Sequence, residues 1–222
     1  RESVYPVFIT VGYTIEGGSK PVSSDYVWKA TGILLEGGHV ISAGHLVKVA
    51  QEELLSGHPG GVVTAFKIKS IDMYAGGKSY SLKTEWAGIE DFTIMELAEP
   101  VELCLPSLHA AFGDAGRLEA GSLTYSFSAI NIPNTKEGHI TNPAQTDKKF
   151  PYSYIRQNRH PGDEYRSEYF VEGTVTKGGD SGGPVIAFLD GEPELAGIAC
   201  TSGGEVLKIG IVRRALDAIH PE

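Results

Sequence analysis

The sequence predicts an all-β fold, a sandwich or barrel of many short strands. Two observations carry that prediction. β-rich runs follow one another closely along the 222 residues, separated by glycine, proline and asparagine. Helical patterning is confined to His45–Leu55 and Val212–Ile219, the second with Leu216 and Ile219 on one side.

In chain order the strand candidates are Tyr5–Val11, Val27–Leu35, Val40–Ala43, Val62–Met73, Tyr80–Lys83, Phe92–Leu97, Leu123–Ile130, Tyr169–Thr176, Pro184–Phe188, Glu194–Cys200 and Val206–Val212. Gly37-Gly38 reads as a hairpin turn between two of them. Asp91 opens an alternating run in which Phe92, Ile94 and Leu97 are apolar. Asn131–Tyr165 interrupts the series. It is polar, carries Pro133, Pro143, Pro151 and Pro161, and includes Lys148-Lys149, Tyr152 and Tyr154. A connection of that length is expected to be a surface insertion or a loop that meets substrate or partner.

Composition excludes several classes. A hydrophobic content of 41% suits one soluble unit, or two subdomains sharing a core. No run approaches the roughly 20 apolar residues of a membrane-spanning helix. A net charge of −9 with no basic stripe argues against a nucleic-acid partner. The seven histidines have no metal-ligand spacing, and no phosphate-cradling Gly-x-x-x-x-Gly-Lys occurs, so no metal or other cofactor is expected. The chain starts at Arg1-Glu2-Ser3, without a methionine or a signal-peptide pattern, as a mature or excised piece would.

Three segments carry chemistry. Gly178-Gly179-Asp180-Ser181-Gly182-Gly183-Pro184 sets a serine in a glycine-rich bend, where main-chain N–H groups can converge on an oxygen. A solvent turn can also be glycine-rich. Ser42-Ala43-Gly44-His45 ends a strand at a histidine, a residue more often satisfied on a surface or in a core than catalytic. Asp91 stands at a strand start, ordinarily a turn position.

Together, and in the order His, Asp, Ser, these segments resemble the chymotrypsin/trypsin-like serine proteases. Leu105-Pro106 and Leu195-Ala196-Gly197-Ile198-Ala199 extend the resemblance, which covers essentially the whole chain. It implies two six-stranded antiparallel β-barrels and a short C-terminal helix. The first barrel would span about 1–104, a connector 105–117, the second barrel about 118–212 and the helix 213–222. It implies a serine endopeptidase with His45 as base, Asp91 orienting it and Ser181 as nucleophile. Backbone N–H groups of Gly179 and Ser181 would form the oxyanion hole.

The family pattern also marks departures. Val175 occupies the pocket floor where trypsin-like members hold an aspartate, beside Thr176. Thr201 and Ser202 form the wall, Ala199 replaces the histidine of glutamate-specific members, and Gly210 is the open back. Cleavage after an uncharged residue of a protein or peptide is therefore expected. Cys200 stands where a serine hydroxyl usually supports the aspartate. Cys104 and Cys200 are expected to be free thiols, because Ala30, Leu46 and Lys177 replace the usual bridging cysteines. That scarcity favours an intracellular-type protein over a disulfide-stapled extracellular one. No Ile-Val-Gly-Gly start exists to supply a buried amine to Asp180, so activation by N-terminal cleavage is not expected, and Lys177 is the candidate partner for Asp180.

Two rivals remain on sequence grounds. Gly179-Asp180-Ser181-Gly182-Gly183 also fits the lipase and esterase elbow, but that fold needs more helix and more chain after the serine. A non-catalytic binding module on the protease fold would keep the same architecture.

Overall fold

The computed structural model describes residues 3–17, 21–48, 61–86, 91–99, 113, 117–132, 134–143, 169–173, 177–200 and 204–219. Six strands make the first barrel: β1 (Val4–Glu16), β2 (Val22–Leu34), β3 (His39–Ser42), β4 (Val62–Ala75), β5 (Lys78–Trp86) and β6 (Thr93–Leu97). They close in the order β1-β2-β3-β6-β5-β4 with every neighbour antiparallel. A short helix, α1 (His45–Lys48), follows β3. The predicted Gly37-Gly38 turn joins β2 to β3, both glycines at positive φ (89° and 88°).

The second sheet holds β7 (Leu123–Phe127), β8 (Thr135–Asn142), β9 (Tyr169–Glu172), β10 (Pro184–Leu189), β11 (Glu192–Ala199) and β12 (Glu205–Lys208). It curls in the order β10-β11-β12-β9-β8-β7. Its closing seam, β8 on β9, rests on the pairs Ile140↔Glu172 and Asn142↔Val171 alone. The chain ends in α2 (Ile209–Ile219). The fold is therefore the all-β arrangement expected, with one C-terminal helix.

Two local expectations are corrected. The strand predicted over Val206–Val212 stops at Lys208, and the helix begins at Ile209. Ile209, Val212 and Ala215 recur at helical spacing and are all buried, which a strand's two-residue period would not allow. The polar stretch from Asn131 is not all connection, because β8 lies within it. Ile140 alone carries an apolar side chain in β8, and it is fully buried in the barrel core.

Alternation decides what each strand buries. In β1, Tyr5, Val7, Ile9 and Val11 point into the first barrel and the residues between them are only partly covered. β3 and β6 are buried on both faces: Val40 and Met95 fill the first barrel, while Ile41, Phe92 and Ile94 face away from it. Those outward residues meet Leu195, Ile198 and Leu207 of the second sheet and Ile209 and Val212 of α2. One apolar seam thus joins both barrels, and it lies directly beneath Asp91 and Cys200. The expected outcome of Phe92→Ala, which empties the largest fully buried side chain of that seam, is a loss of about 3–5 kcal/mol in chemical denaturation.

Candidate active site

His45 and Asp91 are brought together by the ends of β3 and β6. After β3 the chain runs through Gly44, whose position lies hard against Phe92. A Cβ there would stand 2.7 Å from both the N and the O of Phe92. This close approach brings His45 to the neighbouring residue, Asp91. The His45 backbone N–H donates to Asp91 Oδ1 at 2.7 Å, and the ring Nδ1 lies 3.0 Å from both carboxylate oxygens. Asp91 is buried, whereas the His45 side chain keeps 18% of its surface exposed.

Burial alone pushes the Asp91 carboxyl up, but the charge and hydrogen bonds of His45 outweigh it, leaving the group below its ordinary value. Asp91 is thus a carboxylate at neutral pH and holds a proton on Nδ1 of the imidazole. In the neutral imidazole this makes Nε2 the acceptor, the form a general base requires. The Cys200 thiol lies behind this pair, with Sγ 3.6 Å from the Asp91 carbonyl oxygen and 3.5 Å from that of Ile198. Burial, with the Asp91 carboxylate, raises the thiol well above its usual value, so Cys200 remains a neutral weak donor.

Ser181 is half-buried, with Oγ 3.5 Å from the Cys200 carbonyl oxygen. Its loop is fastened to the first barrel through Thr31 of β2. The Thr31 N–H donates to the Ser181 carbonyl at 3.0 Å, and its hydroxyl donates to the Gly179 carbonyl at 2.8 Å. The same hydroxyl accepts from the Ala129 N–H at 3.0 Å. Gly182 lies so close that a Cβ would meet Thr31 O at 2.2 Å and Ser42 Oγ at 2.4 Å. Ser42 is three residues before His45, so the serine loop and the histidine strand touch directly.

The loop is shaped from beneath by Asp180. Its carboxylate takes Lys136 Nζ at 2.6 Å and the Lys177 N–H at 2.7 Å on Oδ2, and Asn131 Nδ2 at 2.7 Å on Oδ1. Burial pushes this carboxyl up, but the bonds from Lys136, Asn131, the Lys177 N–H and Ser128 bring it below its ordinary value. The paired cation is therefore Lys136 of β8, and Lys177 contributes its backbone N–H, not its ammonium. Above the carboxylate, the Asp180 N–H returns to the Lys177 carbonyl at 2.9 Å. With Gly179 at φ 97°, this is a type II turn, which needs a residue tolerant of positive φ at its third position. The Gly178 carbonyl accepts from Asn131 Nδ2 at 2.9 Å. Because a trans peptide sets its N–H opposite its C=O, the Gly179 N–H is directed away from Asn131.

The N–H groups of Lys177, Asp180, Gly182 and Gly183 all have protein acceptors. Among the described residues, those of exposed Gly178, buried Gly179 and half-buried Ser181 have none, and Gly179 and Ser181 are the two that flank the Ser181 hydroxyl. Such a pair of adjacent donors suits an anionic oxygen. Of the remaining predicted site residues, Gly210 is in the first turn of α2. Val175, Thr176, Thr201 and Ser202 lie outside the described residues, as does Cys104. Thr31, Asn131 and Lys136 are the site residues that the sequence reading did not single out.

The Asp180–Lys136 pair has a measurable signature. A carboxyl whose folded value is depressed adds stability above its unfolded value and loses it as pH falls through the folded one. Asp180→Asn is expected to cost about 3–5 kcal/mol at pH 7, since it leaves the half-buried ammonium without its counter-charge. The gap between wild type and variant should begin to close as pH falls through about 4, the ordinary carboxylate value, and close fully only below the depressed value of the folded carboxyl. Chemical denaturation of both proteins from pH 7 downward measures it.

Comparison with known proteins agrees with this architecture. The Trypsin family model matches residues 9–215. Two crystal structures of the Rv3671c protease are similar in fold. One, an inactive form, is 18% identical at a TM-score of 0.56 and covers 95% of this chain and 88% of that one. The other, a serine-to-alanine mutant from M. tuberculosis H37Rv in an inactive form, is 16% identical at a TM-score of 0.56, with coverages of 97% and 88%. No curated protein matches the sequence significantly. With nearly its whole length matched, and with the serine, histidine and aspartate segments on the two-barrel frame, the chain belongs to the trypsin family.

Proposed function

We propose that this protein is a serine endopeptidase that cleaves peptide bonds through Ser181, His45 and Asp91. Ser181 Oγ turns from the Cys200 carbonyl toward Nε2 of His45, which takes its proton as the oxygen attacks the scissile carbonyl. Asp91 keeps the proton on Nδ1 and stabilises the imidazolium. The carbonyl oxygen, now negative, is received by the N–H groups of Gly179 and Ser181. His45 gives its proton to the leaving amine, and an acyl-enzyme on Ser181 remains. Water, activated by the same histidine, then releases the second product.

The observation that carries this reading is the donor pattern around the serine. The N–H groups of Gly179 and Ser181, without acceptors among the described residues, flank the hydroxyl of a loop in which the N–H groups of Lys177, Asp180, Gly182 and Gly183 and the carbonyls of Gly178, Gly179 and Ser181 are tied down. A binding module has no need of that pattern. A binding module on the same fold is the second reading, and the contact of Ser181 Oγ with the Cys200 carbonyl is what favours it. We keep the pocket reading from Val175, Thr176, Thr201, Ser202 and Gly210, which is neutral and favours an uncharged residue before the cleaved bond.

A fluorophosphonate probe separates the two readings. Covalent labelling of the wild type, lost in Ser181→Ala, is the expected result, with turnover of a peptide substrate falling on the order of a million-fold. An unlabelled wild type would favour the binding module. Profiling on a peptide library should return uncharged residues at the cleavage position; a preference for Arg, Lys or Glu would overturn the neutral pocket.

A further inference from the structure

The peptide between Gly178 and Gly179 can turn over while the bonds of the Lys177 N–H, the Gly179 carbonyl and the Asp180 N–H are kept. The Asp180 N–H bond to the Lys177 carbonyl is common to type I and type II turns, so it does not distinguish them. The Gly179 carbonyl is held separately by the Thr31 hydroxyl, and the Lys177 N–H by Asp180. Glycine at 179 accepts the positive φ of type II and the negative φ of type I alike. Side-chain sterics therefore choose neither. The bond that does choose is the one from Asn131 Nδ2 to the Gly178 carbonyl, present only while that carbonyl faces Asn131. The amide orientation of Asn131 is fixed by chemistry, since both of its partners, the Gly178 carbonyl and the Asp180 carboxylate, only accept.

We propose that Asn131 is a positioning residue that holds the Gly178–Gly179 peptide with its N–H toward the cleft, and so sets one of the two oxyanion donors. The inference rests on the endopeptidase reading and adds a determinant to it. Asn131 touches no reacting atom. It couples the Asp180 carboxylate to the oxyanion donor through a single nitrogen, so the anchor beneath the loop and the donor above it are set together.

The test compares wild type, Asn131→Ala and Asn131→Asp as full chains. Asn131→Asp keeps the side-chain size but presents an acceptor to both acceptors. One net hydrogen bond changes a population by up to roughly tenfold, so kcat of Asn131→Ala should fall about threefold to tenfold with KM unchanged. Asn131→Asp, which repels the carbonyl, should fall further. Melting temperature is measured alongside, and a fall in kcat that only tracks the loss of folded protein would overturn the proposal. A crystal structure of Asn131→Asp gives the second readout, independent of hydrolysis. Gly179 at negative φ, with the Gly178 carbonyl turned toward the cleft, is the expected result; an unchanged turn would overturn it. Wild type that neither hydrolyses peptides nor labels with fluorophosphonate defeats the endopeptidase reading instead, and the turn in the variant structure still decides the role of Asn131.

Discussion

The buried carboxylate of Asp180 is the constraint around which the serine loop is organised. A carboxylate taken out of water must recover its lost hydration from protein donors. Asp180 draws these from Lys136 on β8, from Asn131 after β7 and from the Lys177 N–H at the start of its own loop. Each donor fixes the chain that carries it. The Lys177 N–H bond and the returning Asp180 N–H close the turn, and the Asn131 amide that meets the same carboxylate also holds the Gly178 carbonyl. The cation is internal to the second barrel, held on a strand of the same sheet that carries the serine loop.

The first barrel supplies the other half of the geometry. Thr31 is fully buried and bonds to the Gly179 and Ser181 carbonyls and the Ala129 N–H. Its own carbonyl accepts from Ser42 Oγ at 2.8 Å, on the strand that leads to His45. One residue thus fastens the nucleophile loop to the histidine strand. Beneath them, Phe92, Ile94, Leu195 and Ile198 pack as one core, so Asp91 and Cys200 ride on the same apolar seam. Cys200 completes the connection: its thiol faces the Asp91 carbonyl and its own carbonyl meets the Ser181 hydroxyl. Polar contacts aim the side chains and the shared core keeps the two barrels in register.

The parts of the site legible in the sequence were those fixed by local motif. Gly179, Ser181 and Gly182 sit in a run whose glycines answer backbone needs visible at short range. His45 and Asp91 end or open strands with clear alternation. Lys136 was hidden because β8 is polar, with Ile140 its single apolar side chain. Had the β7–β8 hairpin been recognised, parity would have helped: residues 136 and 140 share a strand face, so a lysine in step with a core isoleucine points inward. The early part of β2 was missed for a related reason, since Ser23, Ser24 and Asp25 are exposed on a strand that pairs with β1. The start of α2 was misjudged because Val206, Leu207, Ile209, Ile211 and Val212 read equally as a buried strand, and burial from both sides removes the period that tells them apart.

The most direct measurement of the central claim, that the loop stands ready to hold a negative oxygen beside Ser181, is a crystal structure of the protein with a peptide boronic acid. The account predicts a covalent bond from Ser181 Oγ to boron, and a boron-bound oxygen about 2.7–3.1 Å from the nitrogens of both Gly179 and Ser181. It also predicts that the Asp180–Lys136 contact is the same as in the free protein. A boronic acid left unbonded to Ser181, or an adduct whose oxygen points to solvent with the Gly179 N–H turned away, would contradict it.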